Sequence, residues 1–110
     1  MAGPESFKQQ YALWVRQRGK RIELGDDLAE ARPVEHFAYF MRGSRARDAA
    51  ATLRAAGFDV ETGRRGLKVL LKATRPQRLG DEEVAAFLAE VIGAVEQAHG
   101  DYDGWGATTS

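Results

Sequence analysis

The 110-residue sequence contains two histidines, His36 and His99, and no cysteine. A zinc or copper site would need both imidazoles together with carboxylates such as Asp101 or Asp103, and no metal-ligand spacing joins them. His36 reads instead as a strand histidine with a local hydrogen bond, and His99 as a helix C-terminal residue favoured there by the helix dipole. Nucleophilic catalysis would need a hydroxyl beside one of these rings. Ser6, Ser44 and Ser110 fall at a helix start, a cap and a tail, and none occupies the strand-to-helix elbow that exposes a nucleophile. The carboxylate pairs Asp26-Asp27, Glu82-Glu83 and Asp101/Asp103 each have a turn, cap or surface explanation. Gly63-Arg64-Arg65-Gly66 lacks the Lys-Ser/Thr of a phosphate loop and is more simply a hairpin turn. The expectation is a protein without catalytic residues, metal or cofactor.

Recognition chemistry is better represented. The stretch His99-Gly100-Asp101-Tyr102-Asp103-Gly104-Trp105-Gly106 sets aromatics between glycines and acids. Tyr and Trp give large contact areas at low entropic cost, and acids can meet arginines on a partner; the same rings could equally fill a sheet edge. Charge is unevenly placed in a chain of zero formal net charge. From Met41 to Arg78 there are ten basic residues and three acidic ones; from Leu79 onward there are seven acids and no Lys or Arg. Such asymmetry can steer a charged partner, although two solvated faces attracting each other across one fold is the simpler reading.

The elements that must hold these residues follow from periodicity. The central one is Val34 to Phe40, with Val34, His36, Ala38 and Phe40 on one face and Glu35, Phe37 and Tyr39 on the other. Mixed apolar character on both faces predicts cover on both sides. Ahead of it, Glu5 to Arg18 reads as an amphipathic helix with Phe7, Tyr11, Trp14 and Val15 on one stripe, ended by Gly19 and expected to cover the otherwise bare face of the sheet. Lys20 to Arg32 reads as a connecting loop. After the strand, Ser44 is the expected N-cap of a helix to Ala56, with Ala46, Ala49, Ala50 and Leu53 buried. Phe58 to Thr62 and Leu67 to Ala73 form a hairpin centred on Arg64-Arg65, with Val60 facing Val69 and Glu61 facing Lys68. A second helix starts at Gly80 or Asp81, buries Val84, Phe87, Leu88, Val91, Ile92 and Val95, is packed closely at Gly93, and stops at Gly100. Tyr102 to Thr108 is a last extended segment able to pair with a sheet edge.

That order is an α+β, ferredoxin-like βαββαβ two-layer sandwich with an extra N-terminal helix. Residues 1–32 form the helix and loop packed on the core, and residues 33–110 the main domain, one structural unit overall. The start Met1 to Glu5 has neither a basic nor an apolar leader pattern, and no window reaches a membrane-spanning length, so a cytoplasmic protein is expected. The same strand order occurs in RNA-recognition folds, whose sheet aromatics stack on bases. Phe37 and Tyr39 could do this, but Leu67 to Ala73 offers no aromatic partner and the first helix is expected over that face. Direct nucleic-acid binding is therefore a minor expectation, and exposure of Phe37 or Tyr39 is what it requires.

Three stretches carry a family resemblance: Gly25-Asp26-Asp27-Leu28 with Arg32 to Phe40, then Leu53 to Val60, and His99 to Trp105 with its Tyr-Asp-Gly-Trp ending. In these the sequence resembles the B-type regulators of ribonuclease E activity. The resemblance implies the same α+β sandwich and a non-catalytic protein that binds an endoribonuclease and lowers its activity through protein–protein contact. Asp101, Tyr102, Asp103 and Trp105, with Glu90 from the acidic helix and His36, form the expected protein-binding set. A monomer or weak homodimer is expected, and the alternative function is a ferredoxin-like small-ligand or RNA-binding module.

Overall fold

The structure, a computed structural model, describes residues 3–109. Met1, Ala2 and Ser110, which the two-part division of the chain included, lie outside the described residues. The elements are α1 (Gly3–Glu23), β1 (Arg32–Phe40), α2 (Gly43–Ala55), β2 (Asp59–Arg65), β3 (Lys68–Gln77), α3 (Asp81–Gln97) and β4 (Asp101–Ala107). The chain is α+β, with one antiparallel sheet in the order β2-β3-β1-β4.

β1 is central, and its side chains alternate: Val34, His36, Ala38 and Phe40 are buried while Glu35, Phe37 and Tyr39 are only partly so. The buried set meets the apolar stripes of two helices, Ala46, Ala49, Ala50 and Leu53 from α2 and Val91 and Val95 from α3 among them. Both stripes occupy the positions that 3.6-residue periodicity assigns them.

α1 departs from expectation in length and in target. It runs through Gly19 to Glu23 and ends where Gly25 takes φ 80°. The Gly25 amide donates to the Ile22 carbonyl and the Asp26 amide to that of Arg21, the paired bonds of a Schellman ending. The expected loop thus begins about four residues later, because the last turn is anchored from outside the helix. Arg21 donates to Asp26 Oδ2 at 2.9 Å and to the Ala107 carbonyl at 2.8 Å. Nor does α1 cover the bare sheet face. Its stripe is Phe7, Tyr11, Trp14 and Arg21, with Val15 exposed, and Trp14 packs with Val34, Val84, Phe87 and Leu88 on the side where α3 lies. Trp14 Nε1 donates to Asp81 Oδ1 at 3.0 Å, and Arg18 adds an ion pair of 2.7 Å to the same carboxylate, fixing α1 to the start of α3.

The other differences are local. The hairpin turns on Gly66-Leu67, not Arg64-Arg65, because Gly66 supplies the positive φ of 63° that a II′ turn needs at its first central position. Val60 therefore faces Ala73 and Glu61 faces Lys72. The partner of every residue moves by an even number of positions, so each side chain stays on its expected face. Ser44 does not cap α2; Arg42 occupies that position without a side-chain bond. Gly93 is exposed with open space where a side chain would be, so close packing does not explain it. Finally α3 ends with His99, not a glycine, in the left-handed region at φ 61°. Gly100 has a different role: a Cβ there would lie 2.3 Å from the Phe40 ring.

Candidate functional site

β4 carries most of the expected binding residues and is an edge strand, paired on one side with β1. The pairing slips between Phe37 and Ala38: Phe37 opposes Gly104 and Ala38 opposes Tyr102, which leaves Asp103 as the extra residue of a bulge. Gly104 at φ 126° makes that bulge possible. The bulge lets Tyr102 and Trp105, three residues apart, both point toward the helices.

Those two rings are held in place. Trp105 lies 5.9 Å from Trp14 and meets Phe87 edge-on at 5.1 Å, ring centre to ring centre. Tyr102 donates its hydroxyl to His36 Nδ1 at 2.9 Å, and His36 Nε2–H donates to Gln77 Oε1 at 3.1 Å. Since the Gln77 oxygen can only accept, Nε2 carries a proton, which in the neutral ring leaves Nδ1 to accept from Tyr102. Burial, which leaves His36 1% exposed, is what keeps the ring neutral: it lowers the pKa from 6.5 to about 4, against the Gln77 hydrogen bond, which favours the charged form. Burial also raises the Tyr102 hydroxyl far above its ordinary value. Phe58 and Phe87 pack edge-on to the imidazole, so His36 is a core residue that ties β1, β3 and β4 together.

What reaches solvent from the expected set is acidic. Asp101 and Asp103 are exposed on β4. Glu90 on α3 is partly exposed and paired with Arg75 at 2.6 Å. Arg75 is itself fixed, stacked 3.9 Å above the Phe58 ring and donating to the Ala56 carbonyl at 2.8 Å. Asp81 is held ionised, its pKa lowered by the Trp14 and Arg18 hydrogen bonds. The arrangement thus separates into an apolar, hydrogen-bonded layer beneath and carboxylates above.

The histidines do not converge. His36 pairs in register with Trp105, while His99 precedes Asp101, which pairs with Tyr39; three strand positions, ~10 Å, separate the two rows. A cleft of about 390 Å³ between the end of β3 and α3 includes Arg75, Gln77, Arg78, Phe87 and Glu90 among its walls, and His36 is not one of them. Among the described residues no group of three or more His, Cys, Asp or Glu is placed to hold a metal ion. Among the described residues no helix is long and apolar enough to cross a membrane.

Sequence reasoning missed two features. Asp26, read as part of a turn, has a fully buried carboxylate between Arg21 at 2.9 Å and Arg32 at 2.7 Å. Both guanidinium groups continue to β4 carbonyls or the residue after it, Arg21 to Ala107 and Arg32 to Thr108, so this cluster sets the position of the β4 C-terminal end. The signal was Arg21 one turn before Gly25-Asp26, a buried partner for a turn acid. The second feature is the bare face bearing Phe37 and Tyr39, which α1 leaves open.

Residues 20–107 match the family model described as "Regulator of ribonuclease activity B". A search of curated proteins returns no match.

Proposed function

This chain belongs to the regulator of ribonuclease activity B family, and from that premise we propose that it is a non-catalytic regulator that binds an RNA-degrading enzyme of the ribonuclease E type and modulates it by protein–protein contact. It acts in the cytoplasm as a monomer or weak homodimer, on a ferredoxin-like frame in which residues 33–110 form the regulator domain and residues 1–32 pack against it. The β2-β3-β1-β4 order, with α2 after β1 and α3 after β3, supports that frame.

The observation that carries the reading is the layering of β4. Asp101 and Asp103 stand exposed on a strand whose Tyr102 and Trp105 are anchored below it, so the carboxylates are presented on a rigid support. Preorganised charge of this kind meets arginines on a partner with little ordering cost. Glu90 joins the proposed set as the α3 carboxylate held by Arg75 at 2.6 Å, and His36 acts from beneath by fixing Tyr102. The test is binding to a purified ribonuclease E type endoribonuclease by biolayer interferometry, alongside its cleavage rate. Asp101→Asn with Asp103→Asn is expected to weaken binding by roughly tenfold or more, with an affinity that falls as salt rises. Unchanged affinity in that folded double variant would remove the β4 acids from the interface.

A further inference from the structure

The sheet face turned away from the helices carries the aromatics that the fold does not use. Phe37 and Tyr39 alternate with the core residues of β1, remain half-buried, and belong to neither apolar cluster. They lie two residues apart on one strand, ~6.6 Å by strand rise, a separation that two unstacked neighbouring bases can match. Beside Phe37 on β4 is Gly104, which contributes no side chain.

The charges around the rings are ordered. On β3, Lys72 opposes Phe37, and the Lys68 ammonium stands 5.9 Å from the Tyr39 ring centre. Arg65, which opposes Lys68 and shares this face, is exposed and forms no ion pair among the described residues, whereas Arg64 opposes the core residue Val69. Glu35 and Glu61 both face Lys72, at 3.7 and 3.6 Å, so this lysine is already engaged and the trio keeps one negative charge. The uncompensated positive charge therefore lies at the hairpin end, on Arg65 and Lys68, while Asp59 at the far end of β2 and Asp101 and Asp103 on β4 are acidic. A phosphate backbone fits one side of this face and is repelled from the other.

We propose that the open sheet face binds single-stranded nucleic acid, with two successive bases stacked on Phe37 and Tyr39 and phosphates over Lys68 and Arg65 at the hairpin end. Stacking of this kind tolerates any base, since every base has a π face, and Arg65 and Lys68 supply the sequence-independent attraction. The site borders the acidic β4 surface, since Asp101 opposes Tyr39 across the β1–β4 pairing.

The test is fluorescence anisotropy of a labelled 12-nucleotide oligouridine titrated with the full chain at low salt. Saturable binding is expected, weakened roughly 5- to 100-fold by Phe37→Ala or Tyr39→Ala, each checked for folding by circular dichroism. Arg65→Gln with Lys68→Gln should lower the slope of log affinity against log salt by about 0.7 for each phosphate that the variant no longer neutralises. No anisotropy change, equal affinity in both ring variants, or equal competition by a 12-base-pair duplex would overturn the proposal. So would self-association in sedimentation velocity that Tyr39→Ala abolishes, since the face would then belong to a second copy.

Discussion

Two pairs of aromatic residues sit on neighbouring strands and have opposite fates. Tyr102 and Trp105 on β4 lie among glycines and acids, a setting that suggests a recognition loop, yet both turn inward onto His36, Trp14 and Phe87. Phe37 and Tyr39 lie in the middle of the central strand, a setting that suggests core, yet they face outward. The reversal has two physical causes. A bulge at Asp103 resets the parity of β4, and α1 docks on α3, so the second face of the sheet receives no cover. Whether an aromatic side chain holds the fold or meets a partner is thus decided by strand parity and by where the helices land, more than by its sequence neighbours.

If the two faces differ as described, substitutions should separate them by free energy. The largest effect is expected at Trp14, which is 1% exposed and bonded to Asp81. Trp14→Ala removes a buried ring and a hydrogen bond together and should cost about 3–5 kcal/mol in urea unfolding. A loss below about 1 kcal/mol would mean that α1 is dispensable to the covered side.

The next effect is one of pH. His36 is neutral when buried, with a pKa of about 4 against 6.5 unfolded, so between these values the unfolded chain binds more protons than the folded one. Its stabilisation is full above pH 6.5 and declines as pH falls toward 4, by about 3 kcal/mol in all at ~1.4 kcal/mol per pH unit. His36→Gln should remove this dependence while lowering stability at neutral pH. The check is the difference between urea midpoints of wild type and variant across that window, since the carboxylates contribute alike to both.

The α+β class, both covering helices and the central place of β1 were legible because each rests on a local period: alternation in β1, and the stripes of α2 and α3. The hairpin was legible in parity but not in register, because two glycines flank the Arg-Arg pair and only one, Gly66, takes the turn's positive φ. The end of α3 was misread for a related reason. A glycine after a helix usually supplies the left-handed residue, but here Gly100 is needed for its closeness to Phe40, and His99 adopts φ 61° instead. The placement of α1 was not legible at all. Its stripe announces an apolar target without saying which, and the deciding contacts, Trp14 to Asp81 and Arg21 to Asp26 and Ala107, span distant parts of the chain. Of the expected site, the acidic residues were legible as surface, whereas the roles of Tyr102, Trp105 and His36 depended on the bulge.

The smallest expected effect tests the other side of the comparison. Phe37 and Tyr39 sit over β3 and β4 neighbours that are long, charged or absent: Lys72 and Gly104 beside Phe37, Leu70 and Asp101 beside Tyr39. Truncating either ring removes only the apolar area it shares with these flanking chains and leaves no enclosed cavity. Phe37→Ala and Tyr39→Ala should each cost no more than about 1 kcal/mol in urea unfolding, near the value of a cross-strand pair and well below that of a core aromatic. If either cost as much as Trp14→Ala, the outer face would be part of the core, and the aromatic pair would need no partner to explain it. A small cost leaves two half-buried rings on a central strand whose presence the stability of the fold does not require, and binding is then the property in which their loss should be felt.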